Sequence, residues 1–135
     1  YLRVACRTHM FQTSLSPAVV AGLITAIDIA QNEPERRVRL CASSAHVRTE
    51  LTRLGFDIFG SKTQIIPVCF RTESQAKKAC EILMEEGVFA PPYYYPAVRH
   101  DEAMIRVNIM ATHNDEQLEK LVSALDRAGK ETSIL

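Results

Sequence analysis

Apolar positions along the chain change period at several points, and each change marks an element. Val20, Leu23, Ile24 and Ile27 fall at the i, i+3, i+4, i+7 spacing of a helix with one buried face. Ser16-Pro17 supplies its start, a capping hydroxyl followed by proline where a missing N–H costs nothing. Asn32-Glu33-Pro34 should break or bend that helix. A second follows from about Glu35 to Leu54, with Leu40, Val47, Leu51 and Leu54 on one side and Gly55 at its C′ position. Phe56–Phe59 can form a short strand, and Gln64–Phe70 reads as another, in which Pro67 argues for an N–H that faces no partner.

Thr72 and Gln75 have the spacing of a capping box and open a helix that turns Ala76, Ala79, Ile82 and Leu83 inward, ended by Gly87. Val88-Phe89 starts an extended segment interrupted by Pro91-Pro92, and residues 103–110 form a strand. The last helix opens at Asn114, points Leu118, Leu121, Val122 and Leu125 inward, and leaves Gly129 past its end and a frayed tail beyond Lys130. The order β-α-β-β-α after two long helices predicts an α/β (α+β) fold. A small antiparallel or mixed sheet with helices on one face is the simplest way to bury those stripes. The two long helices can embrace the sheet layer or lean on something else.

One position breaks the pattern. In strand 103–110, Ile105, Val107 and Ile109 share one face, which leaves Met104, Arg106, Asn108 and Met110 on the other. A guanidinium keeps its charge and is costly to bury unpaired, so this second face looks to water or to another body of protein. By pattern alone the commoner reading is an arginine on a solvated face or in a structural ion pair. The functional reading is a guanidinium offered to an anion, most naturally a carboxylate gripped through two hydrogen bonds.

Three other features invite chemistry and are explained without it. Thr13, Ser14 and Ser16 cluster hydroxyls ahead of a helix, where free N–H groups favour anions, but hydroxyl-rich caps are commonplace. His113 sits where strand turns into helix, the place of a histidine that partners backbone groups. Tyr93-Tyr94-Tyr95 can be an aromatic ligand wall or a segment of edge strand.

Composition narrows the field. The chain has 135 residues, room for one domain with a real core, and its sixteen basic residues balance sixteen acidic ones. That balance gives no electrostatic footprint for nucleic acid or an anionic membrane. No apolar run approaches the roughly 20 residues a bilayer span needs. Cys6, Cys41, Cys69 and Cys80 share no short spacing and read as reduced core or near-core thiols, which suits a cytoplasmic protein. The four histidines are equally scattered, so no metal site is expected.

Taken together, "FQTSLSPA" at 11–18, "IIPV" at 65–68, "EEGVFA" and "YYYPAV" within 85–98, and "AMIRVNIMATHNDEQ" at 103–117 resemble the C-terminal part of the α-oxoamine synthases. That family comprises glycine C-acetyltransferase, 8-amino-7-oxononanoate synthase, 5-aminolevulinate synthase and serine palmitoyltransferase, within the fold-type-I aminotransferase class. The resemblance covers essentially the whole chain. It implies pyridoxal 5'-phosphate as cofactor, an amino acid and an acyl-CoA as substrates, and a homodimer as the working form. Position by position, it implies that Arg106 binds the substrate α-carboxylate. Thr13, and after it Ser14, would reach the cofactor phosphate of the neighbouring subunit. The chain departs from the family's pattern at Gln12, at Met104 where an arginine is usual, and at Arg99 and Asp101 after "YPAV".

In the family the lysine that forms the Schiff base lies upstream of the phosphate motif, and no lysine occurs between Tyr1 and Phe11. Lys62, Lys77, Lys78, Lys120 and Lys130 match no such motif. The resemblance therefore implies a C-terminal fragment or isolated domain, inactive alone. Residues 1–15 would continue from a large domain, 16–55 form a helical connection, 56–130 a small α/β domain and 131–135 a tail. The alternative is a non-enzymatic amino-acid-binding or regulatory α/β module, since a β-α-β-β-α unit also serves that purpose.

Overall fold

The computed structural model describes residues 1–10 and 13–135. Phe11 and Gln12, the first two positions of the "FQTSLSPA" motif, lie outside the described residues. The chain divides into two compact units, Tyr1–Pro34 and Glu35–Leu135.

The first unit is helical. Two short helices, α1 (Leu2–Ala5) and α2 (Arg7–Met10), occupy a stretch with no period in its sequence. Helix α3 (Pro17–Asn32) starts as expected: Ser16 caps it by accepting from the Val19 N–H, and Pro17 takes the first helical position. The apolar stripe forms, but its burial does not: Leu23, Ile24 and Ile27 are each about half exposed, and α3 has no buried residue. Periodicity reports that a helix has an apolar side. It does not report whether the described residues cover it.

The second unit holds the core. Helix α4 (Pro34–Leu54) buries Ser44, Val47 and Leu51, and Gly55 ends it at φ +100°, a conformation glycine adopts without strain. Strands β1 (Ile65–Arg71), β2 (Pro92–Tyr93) and β3 (Ala103–Asn108) form an antiparallel sheet in the order β1-β3-β2. Helices α5 (Glu73–Glu85) and α6 (Asp115–Glu131) complete the unit, each opened by a full capping box, at Thr72/Gln75 and Asn114/Gln117. Ile66, Val68 and Phe70 of β1 and Ala103, Ile105 and Val107 of β3 are buried in one cluster with the apolar sides of α4, α5 and α6. Of the two long helices, α4 thus packs into this core.

Pro67 sits where its missing donor is harmless. It lies opposite Arg106, whose own N–H turns towards β2 and reaches the Pro91 carbonyl at 3.4 Å. The Pro67 nitrogen therefore faces the outer edge of the sheet. Two residues on, the Cys69 N–H on that edge donates to the Asp57 carbonyl at 2.9 Å. That is the only pairing of the Phe56–Phe59 segment with β1 among the described residues, so the segment is not a strand. Its backbone turns away at Phe59 and Gly60, both at positive φ. Likewise Val88-Phe89 is not a strand, and regular pairing is confined to Pro92–Tyr93.

The chain end differs from expectation too. Gly129 lies inside α6 and is buried, and the residues beyond it are not frayed. The Thr132 hydroxyl donates to the Ala128 carbonyl at 2.7 Å, and the N–H groups of Ile134 and Leu135 both donate to the Gly129 carbonyl. A Cβ on Gly129 would lie 2.7 Å from both Leu135 Cδ1 and Phe56 Cζ. Glycine here makes room for the returning tail, a long-range reason that local pattern does not carry. Helix propensity alone favours alanine by about 1 kcal/mol, while overpacking costs about 1–3 kcal/mol. Gly129→Ala is expected to lower the urea midpoint modestly; a raised midpoint would mean that Leu135 swings aside freely.

Candidate functional site

Strand β3 alternates as its sequence demands. Ala103, Ile105 and Val107 are buried, whereas Arg106 and Asn108 are exposed and Met104 is half-buried. Arg106 thus stands on the sheet face away from the helices. Met110, grouped with Arg106 by the alternation of the sequence, is 55% exposed.

The aromatic partner of Arg106 sets it apart from the ion-paired arginines of the unit. Arg53 is paired with Glu50 at 2.7 Å. Arg127 bridges Glu86 and Glu131 and lies near Glu85, tying α5 to α6. These carboxylates raise the pKa of both guanidinium groups through hydrogen bonds. Arg106 has no such carboxylate among the described residues; its guanidinium carbon lies over the Tyr93 ring, 4.8 Å from the centroid. An aromatic face holds a cation without neutralising it. The in-plane N–H donors of Arg106 are left to meet an anion from outside.

The tyrosine triplet sorts itself by strand alternation. Tyr93 lies opposite Met104 and so shares the face of Arg106. The Tyr94 ring carries the Lys77 ammonium at 5.0 Å. That lysine is also bound to Glu73 at 2.6 Å, and the hydrogen bond pushes its pKa up. Tyr95 stacks on His100, with ring centroids 4.1 Å apart. Each ring meets a different nitrogen group. The edge-strand reading holds for Tyr93, in β2, and the contact with Arg106 adds what sequence reasoning missed. The signal is the register of a two-residue strand, which no hydrophobic pattern reveals.

His113 is a backbone partner. Its Nδ1 accepts from the Met110 N–H at 3.2 Å, and its carbonyl accepts from Arg39 Nη2 at 3.0 Å. The ring also lines a cavity of about 300 Å³ with Phe89, Asn108 and Lys120, which does not include Arg106. Cys69 is buried, and Cys80 is half-buried with its thiol pKa pushed up by burial. Cys41 is exposed, contrary to its expected place in or near the core.

Thr13 and Ser14 belong to the first unit, and both are exposed. The capping hydroxyl of α3 comes from Ser16 instead. Two exposed hydroxyls ahead of a sixteen-residue helix are the donor type a phosphate requires. In this respect the residues present fit a phosphorylated cofactor. Arg106 and Tyr93 come together within the second unit.

Residues 1–125 match the aminotransferase class I and II family. The chain belongs to that family. It is 40% identical over 129 residues to the 8-amino-7-oxononanoate synthase/2-amino-3-ketobutyrate coenzyme A ligase of Thermus thermophilus, a match covering 96% of this chain and 33% of that protein. Against the serine palmitoyltransferase of Sphingobacterium spiritivorum it is 32% identical over 134 residues, 99% of this chain and 34% of the other. Among solved structures, one of SPT with PLP superposes with a TM-score of 0.92 at 26% identity, covering 99% of this chain and 34% of that one. The serine palmitoyltransferase of Sphingomonas wittichii gives 0.90 at 28% identity, with the same coverage. These names are among those of the α-oxoamine synthases, the group its motifs resemble. The chain spans about a third of the length of the curated relatives it matches.

Proposed function

We propose that the full-length protein joins an amino acid to an acyl-CoA thioester with pyridoxal 5'-phosphate as cofactor, giving an α-oxoamine. The supporting observation is a guanidinium displayed on the sheet face away from the core, paired with an aromatic ring rather than a carboxylate. In the reaction the amino acid's α-carbon gives up its proton and bonds to the acyl carbonyl carbon, while the thioester C–S bond breaks and CoA leaves as the thiol, taking up a proton. The cofactor, when bound, supplies an electron sink for the α-carbon.

This chain's residues bind and orient. Arg106 donates to both oxygens of the substrate carboxylate, a charge-assisted pair that fixes direction as well as position. Fixing the carboxylate sets which α-carbon bond is presented for reaction, a matter of orientation rather than proton transfer. Thr13, and after it Ser14, would supply hydroxyl donors to hold the cofactor phosphate of a neighbouring subunit in a homodimer. None of Lys62, Lys77, Lys78, Lys120 and Lys130 lies in a family lysine motif. The covalent anchor of the cofactor is thus assigned to sequence outside these 135 residues.

A thiol-release assay tests this reading. The full-length holoenzyme is expected to liberate CoA only when an amino acid and an acyl-CoA are both supplied. The 135-residue chain, incubated with pyridoxal phosphate and the same substrates, is expected to liberate none. CoA release without an amino acid, or turnover by the isolated chain, would contradict it.

A further inference from the structure

We propose that Tyr93 is a positioning residue for Arg106, holding its guanidinium in the orientation that receives the amino-acid carboxylate. The inference rests on the carboxylate role just assigned to Arg106. Tyr93 lies in the "YYYPAV" stretch, but the resemblance assigns it no role; the evidence is the ring contact and the strand register.

An arginine side chain on an open sheet face has several rotatable bonds, and a ligand that needs one orientation must pay the entropy of selecting it. Two devices can select that orientation in advance. A carboxylate does so by consuming the in-plane N–H donors, as Glu50 does for Arg53 and Glu131 for Arg127. An aromatic ring does so through the guanidinium's face and leaves the donor edge usable. Arg106 has the second arrangement, with its guanidinium carbon 4.8 Å from the Tyr93 centroid.

The backbone holds this contact in place. Tyr93 pairs with Met104 and Pro92 with Ile105, so Tyr93 is the diagonal same-face neighbour of Arg106, within reach of long and aromatic side chains. The Arg106 N–H donates to the Pro91 carbonyl, which pins the two strands at the arginine itself. Flanking contacts further restrain the segment. Tyr94 meets Lys77 on α5, and Tyr95 stacks on His100. A two-residue strand that would otherwise be a loose edge is tied down on both sides of the ring that touches Arg106.

The test uses the full-length holoenzyme with Tyr93→Phe, Tyr93→Leu, Arg106→Ala and Tyr93→Leu/Arg106→Ala, and with Tyr93→Met as a second ring-free variant. Apparent KM is measured for glycine, L-alanine and L-serine and for the acyl-CoA, alongside kcat and Tm. Loss of the ring should raise the amino-acid KM roughly three- to fivefold, with kcat equal to or below its starting value and the acyl-CoA KM and Tm near theirs. Tyr93→Phe keeps the ring and should keep the original KM. On the Arg106→Ala background, Tyr93→Leu should add nothing. If Arg106→Ala raises the amino-acid KM but neither ring-free variant does, Tyr93 has no positioning role and the assignment of Arg106 survives. An undiminished Tyr93→Leu effect without Arg106 also overturns the proposal. If Arg106→Ala itself leaves the amino-acid KM unchanged, the carboxylate assignment fails and this inference fails with it.

Discussion

Truncating Arg106 to alanine in the full-length enzyme is expected to weaken amino-acid binding by roughly a hundredfold or more, with cofactor affinity unchanged. The size follows from what is lost. A carboxylate desolvated against two N–H donors and then deprived of them bears most of its desolvation cost uncompensated. The selectivity follows from the proposed division of roles: Arg106 on β3 takes the carboxylate, whereas Thr13 and Ser14 are the residues proposed for the cofactor phosphate. Stability should change little. Arg106 is exposed, and its ring contact is worth about 0.5–1 kcal/mol at such a site. Equilibrium titration with an amino acid, read through the cofactor's absorbance, measures the first effect, and thermal unfolding the second. Unchanged amino-acid affinity would remove Arg106 from the site.

Phe70→Ala is expected to be the most damaging single truncation in the second unit, costing about 3–5 kcal/mol of stability. Phe70, the penultimate residue of β1, is fully buried in the core cluster, and its ring lies 5.8 Å from that of Phe56 in a tilted pair. Phe56 also touches the space above Gly129 into which the C-terminal tail folds. Removing the Phe70 ring therefore opens a void beneath the segment that locks α6. Against the 5–15 kcal/mol typical of whole domains, this is a large share. Urea unfolding should show a sharply lower midpoint with a similar slope. A midpoint close to that of the unaltered chain would mean that α4 and α6 close over the gap.

Elements with a strong local signature were legible in the sequence. The capping box at Thr72, the helix starts at Ser16 and Asn114, and Gly55 and Gly87 at helix ends all act within a few residues. Their chemistry is written where it is used. The alternation of β3 also put Arg106 on the correct face, because period-2 geometry leaves no other choice once Ile105 and Val107 are buried. Features decided at a distance were hidden. Gly129 looked like a helix stop because its reason for being glycine is Leu135 and Phe56, not its neighbours. Phe56–Phe59 looked like a strand from composition, yet it makes one bond to β1 and turns. Tyr93 gave no signal because β2 is two residues long, too short for any period to register. The α3 stripe was read correctly as apolar, and among the described residues nothing covers it. Burial depends on what lies opposite, and a helix does not encode its own cover.

The family, by contrast, was legible from motifs spread along the chain, and the match over residues 1–125 bears that out. The role of Arg106 is the part that calls for measurement. The most direct one compares dissociation constants of the full-length holoenzyme for glycine, L-alanine and L-serine with those for their amides, which lack the negative charge. The unaltered enzyme should prefer the acids strongly, and Arg106→Ala should abolish that preference by losing affinity for the acids while binding the amides as before. Full retention of the acid preference in Arg106→Ala would contradict the account.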